Sequence, residues 1–257
     1  MSTSLSPAPG SAPLTRMVTA QALMETRLLL RNGEQLLLAV VIPLLVLVAG
    51  RQAGSLLDIG AGRRIDVLTP GVLALAVMST SFTSVAIATG FERRYGVLKR
   101  LGASPLPRSG LLAGKLAAVL LVEALQLAIL CSVAAGLGWR PSGGISAVLG
   151  VLLLVLLGSA AFASLALLMA GALRAEATLA AANLVYLMLL VAGGIVVPLA
   201  RYPESVSAHL ELLPSGALGQ GLRDVLSGSG PGLLHVVVLL AWTIIGTSLA
   251  VRTFRWE

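Results

Sequence analysis

Residues 146–172 read SAVLGVLLLVLLGSAAFASLALLMAGA, a continuous run without one charged side chain. A helix that crosses the hydrocarbon core of a bilayer needs about 20 consecutive, mainly apolar residues. The run is longer than that, so it predicts a membrane-spanning helix. It also decides the class of protein to which the rest of the chain must be compared.

Five further stretches have the length and composition of membrane spans: residues 35–50, 68–91, 109–137, 178–198 and 231–251. The whole chain is 57% hydrophobic and 11% charged, with a mean hydropathy of +0.95. Soluble domains carry about 25% charged residues, so this chain cannot cover a water-exposed surface. The sequence predicts an all-α integral membrane protein with six transmembrane helices, and it leaves no room for a soluble domain of ordinary size.

The segment before the first span differs from the spans. Residues 1–13 are rich in Ser, Pro and Ala and are expected to form a disordered tail rather than a signal peptide. Residues 14–33 place Arg16, Arg27 and Arg31 on one side of a helix, which is typical of an interfacial helix lying on the membrane surface. An N-terminal extension of the first span is the alternative. The predicted parts are therefore residues 1–33, the tail and interfacial helix, and residues 34–257, the six-span domain.

The distribution of basic residues gives the spans a direction. With the N-terminus in the cytoplasm, 12 of the 18 Lys and Arg residues lie on the cytoplasmic side. This excess follows the positive-inside rule and predicts both termini in the cytoplasm. The net charge of +7 is therefore explained by basic residues that set the membrane topology, and no nucleic-acid partner is expected.

Residues 199–230, between the fifth and sixth spans, form the longest polar segment on the predicted outer side. Helical spacing of apolar residues over 204–213 and 216–226 predicts two short helices. They are expected to be re-entrant, dipping back into the bundle, which is tolerated where they are buried in protein. An ordinary surface loop is the alternative.

The loop after the second span, FERRYGVLKRLGASPLPRS at 91–109, is the most highly charged part of the chain. Phe91, Tyr95 and Leu98 follow helical spacing, and Gly102 with the prolines after it ends the pattern. The loop is predicted to hold a short amphipathic helix at the cytoplasmic surface. The alternative is a basic loop that only contacts lipid head groups.

Three segments together resemble the permease subunits of ABC-2 type transporters, the group that includes daunorubicin-resistance-like exporter permeases. They are FERRYGVLKRLGASPLPRSGLLAGKL at 91–116, LMLLVAGGIVVP at 187–198 and ELLPSGALGQGLRDVLSG at 211–228. The resemblance implies that the helix after the second span docks on a separate ATP-binding subunit. The positions of this sequence that would form the coupling surface are Glu92, Arg93, Arg94, Tyr95, Gly96 and Leu98.

The chain has no phosphate-binding loop of the form G-x-x-x-x-G-K-[ST]. It is therefore expected to have no catalytic residues and no cofactor of its own, with ATP and Mg bound by the partner. The resemblance implies two copies of an ATP-binding cassette subunit and a second permease, identical or homologous. No metal site is expected, because there is one cysteine, Cys131, and only two histidines.

Polar residues inside predicted spans are candidates for a translocation path. Glu123 is the acid expected deep in a span, with Gln126 one turn further on, and Asn183 lies in the fifth span. Intramembrane ionisable groups often mark substrate pathways. Structural roles are the alternative: a hydrogen-bonded Glu123, and an Asn183 that bonds between helices.

The predicted function is that of the permease subunit of an ATP-driven exporter in the inner (plasma) membrane. It would move a lipophilic substrate, such as a drug or a lipid, out of the cytoplasm, as in multidrug efflux and antibiotic resistance. An ATP-independent channel or secondary transporter is the alternative. Few charged groups inside the spans are available for ion coupling, which favours the exporter.

Overall fold

A computed structural model describes residues 11–52, 63–195 and 197–253, apart from the side chains of 34–38 and 108. The predicted tail before residue 11, the middle of the loop at 51–67 and the last four residues lie outside the described residues. Within the described ranges the regular elements are all helical, with no strand. This confirms the predicted all-α class.

The α-helices are α1 (Leu14–Arg31), α2 (Gly33–Gln52), α3 (Arg64–Met78), α4 (Val85–Arg94), α5 (Val97–Gly102), α6 (Arg108–Gly136), α7 (Gly144–Ala172), α8 (Ala175–Ala192), α9 (Glu204–Leu210), α10 (Pro214–Ser227) and α11 (Leu233–Thr253). A π-helical turn, Ser79–Ser84, joins α3 to α4. We call the end of the bundle that carries α5 the α5 end, and the end that carries α9 the far end.

In the described part of the chain, five helices are long and apolar enough to cross a membrane. They are Arg64–Arg94, Ser109–Gly136, Gly144–Ala172, Ala175–Ala192 and Leu233–Thr253. The first of the six predicted spans corresponds to α2. The part of α2 whose side chains are described, Ala39–Gln52, is apolar but shorter than a full-length span. The structure therefore describes a multi-pass membrane protein with five full-length candidate spans.

Two predicted boundaries are wrong. The second span begins at Arg64 rather than at residue 68, so Pro70 lies inside the helix rather than in its first turn. Thr69 donates its hydroxyl hydrogen to the carbonyl of Ile65 at 2.6 Å, one turn back. The fifth span ends at Ala192 rather than at 198, because Gly194 adopts a φ of +60° that stops the helix.

The continuous helix formed by α3, the π-helical turn and α4 is the most deeply buried span. Phe82 in the π-helical turn packs edge to face against Phe162 of α7, with ring centroids 6.5 Å apart. Helix α7 also packs closely along α11. There Gly246 leaves no space for a side chain, since an added Cβ would lie 2.2 Å from Ser164 Oγ.

The N-terminal helix α1 is a separate helix, because the backbone turns at Asn32 before α2 begins. It buries Gln21, Ala22 and Glu25 and packs along α6. The contact is close at Gly114 of α6, where an added Cβ would lie 2.7 Å from Gln21 Cγ. This geometry favours an independent helix over an extension of the first span.

At the far end, the two helices predicted between the fifth and sixth spans are present but unlike each other. Helix α9 has no buried residue. Helix α10 is buried over most of its length and packs against α3, α7 and α11. Only α10 therefore enters the bundle.

Candidate functional site

A cluster of charged side chains lies at the α5 end, where α1, α4 and α6 meet. We call Glu25, Glu92 and Lys115 the charge cluster. Lys115 Nζ lies 3.1 Å from Glu25 Oε1 and 2.9 Å from Glu92 Oε1. The side chains of Lys115 and Glu25 are each only 7% exposed, and that of Glu92 is 20% exposed.

The charge cluster satisfies its hydrogen-bonding groups within the chain. Lys115 donates to both oxygens of Glu92, at 2.9 and 3.0 Å, and to Glu25 Oε2 at 3.2 Å. Gln21, one turn before Glu25, donates to Glu25 Oε1 at 2.9 Å. A buried charge is tolerated only when it is paired and hydrogen-bonded. The cluster therefore fixes α1 and the end of α4 to the same point on α6.

The next two residues, Arg93 and Arg94, bind the end of α4 to α7 and α8. Arg93 donates to the carbonyls of Gly171 and Leu173, at the end of α7. These carbonyls lack partners inside their own helix, and a cation is favourable at a helix C-terminus. Arg94 pairs with Glu176 in the first turn of α8. The end of α4 is thus held by four helices: α1, α6, α7 and α8.

The loop holds a short helix, α5, but the helical spacing predicted from Phe91 to Gly102 is not one continuous helix, since the backbone breaks between α4 and α5. Gly96 has a φ of +69°, a conformation that glycine adopts without steric cost. Leu98 of α5 turns inward and is 1% exposed. Tyr95, before the break, is 66% exposed and stacks on Phe91, with ring centroids 6.1 Å apart.

The six predicted coupling positions therefore do not form one surface. Glu92 and Arg93 bond inside the chain, and Leu98 is buried. Arg94 and Tyr95 are exposed, as are three residues of α5. We call the exposed set the α5 surface: Arg94, Tyr95, Val97, Lys99 and Arg100. It is basic and aromatic, and the network beneath it holds it in place.

The polar residues of the third span lie in the interior of the chain. Glu123 is 1% exposed and accepts a hydrogen bond from Ser159 of α7. Gln126 accepts from Thr80 of the π-helical turn at 2.8 Å and donates to the carbonyl of Ala39 in α2. Together these bonds connect four successive segments of the bundle.

Asn183 is in a different place from the other two candidates for a translocation path. It lies on the exposed side of α8, near Leu184 and Leu187, and the described residues offer it no hydrogen-bond partner. The structure thus brings Glu123 and Gln126 together and leaves Asn183 on the surface.

A second polar cluster, at the far end, holds α10. Arg223 donates to the carbonyls of Gly194 and Ile195, at 2.6 and 2.9 Å, which follow the end of α8. Burial lowers the pKa of the Arg223 guanidinium to about 10, and burial raises the pKa of the neighbouring Asp224 carboxyl. His235 Nε2 lies 2.8 Å from Glu211 Oε1. These contacts join α10 to the turn after α8, and α11 to the residue that follows α9.

Sequence reasoning missed the partners of Glu92. Neither Lys115 nor Glu25 is among the candidate site residues that the sequence indicates. One signal was available: Lys115 follows the start of the third span by almost two turns, where a lysine with no partner is costly. The acid that it pairs with could not be chosen from the sequence.

The comparisons with known proteins agree with this architecture. The chain matches the ABC-2 type transporter family over residues 14–226, from the first residue of α1 to the next-to-last residue of α10. It is also similar to a protein of Bacillus subtilis (strain 168) that bears the name "Putative transport permease YvfS". The two are 22% identical over 178 residues, which cover 66% of this chain and 69% of the relative.

Proposed function

The chain belongs to the ABC-2 type transporter family, and from this premise we propose that it is the membrane subunit of an ATP-driven exporter. The family implies a transport permease that works with an ATP-binding subunit. The observation that carries the proposal is the α5 surface: exposed basic and aromatic residues on a turn that four helices hold in place.

The α5 surface has the properties of a docking site for a moving partner. Aromatic residues and Arg are enriched where protein partners bind, and Tyr95 and Arg94 are both exposed. A rigid attachment is needed if a rotation of the ATP-binding subunit is to move the spans. In this proposal Arg94 and Tyr95 contact the partner, Gly96 shapes the turn, and Glu92, Arg93 and Leu98 anchor it.

The assembly that we propose contains two ATP-binding cassette subunits and a second permease, identical or homologous. The exposed side of α8 that carries Asn183 would face the second permease, and the substrate would pass between the two. An amide on an apolar helix surface is stabilised by a hydrogen bond from a neighbouring helix. Glu123 and Gln126, which are enclosed within one chain, would hold the spans together.

The proposed topology has six spans, with α2 as the first and both termini in the cytoplasm of a cell with the protein in its inner (plasma) membrane. Residues 1–33 would form the tail and interfacial helix, and residues 34–257 the six-span domain. Helix α10 would be a re-entrant segment that closes the outer end. A lipophilic substrate suits the apolar spans, as in multidrug efflux and antibiotic resistance, and ATP and Mg would be bound by the partner.

The test compares Tyr95→Ala with a matched change at the far end, Arg140→Ala, in the chain co-expressed with its ATP-binding subunit. Tyr95 and Arg140 are both exposed, so neither change should affect folding. We expect Tyr95→Ala to reduce recovery of the ATP-binding subunit by about tenfold, since an aromatic anchor can contribute more than 1 kcal/mol to binding. The stimulation of ATPase activity by a lipophilic compound should fall in parallel.

Arg140→Ala should leave both recovery and ATPase stimulation unchanged. Equal recovery of the ATP-binding subunit by Tyr95→Ala and by the unmodified chain would contradict the docking assignment. Transport that persists in cells lacking any ATP-binding subunit would contradict the exporter itself.

A further inference from the structure

A cavity of about 460 Å³ lies inside the chain near the α5 end, between α4, α6, α7 and α11. Its volume lies within the range of small-molecule binding sites, about 300–1,000 Å³. It exists because α6 and α11 both pack against α7 but make little contact with each other. None of the residues assigned to docking, apart from the buried Leu98, lines it.

The cavity opens toward the membrane. Its lining includes exposed residues from both helices at its edges: Ser109 and Ala113 of α6, and Thr247 and Val251 of α11. Since α6 and α11 are candidate membrane spans, the gap between them faces lipid. An acyl chain is therefore the molecule present at the highest concentration at its entrance.

The two ends of the cavity differ in chemistry. The part furthest from the α5 end is lined by apolar residues, among them Val119, Ala160 and Ala163. Val119 and Ser109 are ten positions apart on α6, which corresponds to about 15 Å along the helix. Ser164 and Thr243 also line the cavity, but each hydroxyl donates to a carbonyl of its own helix.

The part near the α5 end carries a free polar group. Thr89 lines the cavity, is 1% exposed, and its hydroxyl has no hydrogen-bond partner among the described residues. A buried hydroxyl without a partner is unfavourable, so a ligand that offers a carbonyl or ester oxygen there would be stabilised. Lys115 also lines this part, but its amino group is occupied by Glu25 and Glu92.

Exposed basic residues directly follow two of the residues that line the cavity. Lys99 and Arg100 are exposed and follow Leu98, which lines the cavity. Arg252 is exposed and follows Val251 in the same way. Clusters of Lys and Arg at this level of a membrane attract anionic lipid head groups.

We propose that this cavity is a binding site for an anionic phospholipid from the leaflet on the α5 side. One acyl chain fills the apolar part, an ester oxygen accepts a hydrogen bond from Thr89, and the phosphate group lies near Arg252. The site is complete within one chain and needs neither ATP nor a partner subunit. It goes beyond the exporter proposal, and the two can fail independently.

The test is photo-crosslinking of the full chain in lipid nanodiscs with phosphatidylglycerol that carries a diazirine on one acyl chain. Labelled peptides are mapped by mass spectrometry. We expect residues 109–119 and 243–251 to be labelled more strongly than residues 145–156, a stretch of α7 with exposed apolar side chains that borders no part of the cavity. Equal labelling of all three stretches would overturn the proposal.

Two variants and one lipid exchange locate the parts of the site. Ala163→Phe should fill the cavity and abolish the preferential labelling, whereas Ala128→Phe, at an exposed position of α6 outside the cavity, should retain it. Thr89→Val should weaken lipid retention about fivefold, as the loss of one hydrogen bond predicts. Phosphatidylcholine with the same diazirine chain should label about fivefold less than phosphatidylglycerol.

Each of these comparisons can overturn the proposal. Unchanged labelling in Ala163→Phe would show that the acyl chain lies elsewhere, and equal labelling by the two lipids would remove the role of the basic residues. If Ala163→Phe does not fold, the peptide map of the unmodified chain and the Thr89→Val variant still decide the outcome.

Discussion

At the scale of single residues, Lys115 has the largest structural role among the charged side chains described. It is the one cation of the charge cluster, and two carboxylates depend on it. The stability of the fold depends on every member of the cluster staying paired, because a buried charge that loses its partner is far more costly than one in water.

The first prediction follows from this dependence. Lys115→Met keeps the length of the side chain but leaves Glu25 and Glu92 without a cation. We expect a loss of about 3–5 kcal/mol in the free energy of unfolding, measured by denaturation in detergent micelles. Lys99→Met, on the exposed face of α5, is the matched control and should change stability little. Equal stabilities for the two variants would show that the cluster is not formed.

Gln126 provides a second residue-scale prediction. Gln126→Leu removes the hydrogen bonds to Thr80 and to the Ala39 carbonyl. Hydrogen bonds between membrane helices contribute about 0.6 kcal/mol each, so we expect a loss of about 1 kcal/mol in the same assay. Ser132→Ala, an exposed position of α6 that bonds only to its own helix, should lose less. A stabilised Gln126→Leu chain would argue against this role.

At the scale of elements, the direction of α5 depends on one backbone conformation. Gly96 has a φ of +69°, and an added Cβ there would meet nothing within 4 Å. Any effect of a side chain at this position therefore comes from the backbone rather than from a steric clash with another residue. Gly102, at the end of α5, has the same free space without the positive φ.

The third prediction uses this matched pair. Gly96→Ala should lower the free energy of unfolding by about 1 kcal/mol, the cost of a left-handed residue with a side chain. It should also reduce ATPase coupling, because the α5 surface would change direction. Gly102→Ala should leave both unchanged. Coupling that is equally affected in the two variants would place the important contact at the end of α5 instead.

The far end shows how two neighbouring helices of different composition take different positions. Helix α10 carries Gly216, Gly219 and Gly221, and an added Cβ at Gly216 would lie 2.2 Å from the carbonyl oxygen of Leu210. Small residues on α10 thus allow close approach of the surrounding backbone. Helix α9 lacks glycine and stays on the surface.

At the scale of the whole molecule, the two ends of the bundle are expected to face opposite sides of the membrane. The fourth prediction tests this in a chain whose cysteine is removed by Cys131→Ser. Lys99→Cys, on α5, should react with a membrane-impermeant thiol reagent only after the cells are opened. Glu204→Cys, at the start of α9, should react in intact cells. Reaction of both from the same side would contradict the proposed topology.

The sequence by itself determined the class of the protein and most of its spans. Long apolar runs have only one stable conformation in lipid, the helix, which satisfies every backbone hydrogen bond within the segment. The third, fourth and sixth spans were therefore predicted to within two residues of α6, α7 and α11. The order of the three family-like segments was enough to indicate the family, which the comparison confirms.

Only the tertiary structure decided which polar residues meet. Glu92 belongs to the loop motif in the sequence, yet it bonds to Lys115 and adjoins Glu25, 23 and 67 positions away. Helical periodicity gives the face of a residue but not the helix that packs against that face. The same limit explains why Glu123, Gln126 and Asn183 formed one group in the sequence and two in the structure. Packing therefore decides which residues of the loop are buried anchors and which are exposed contacts.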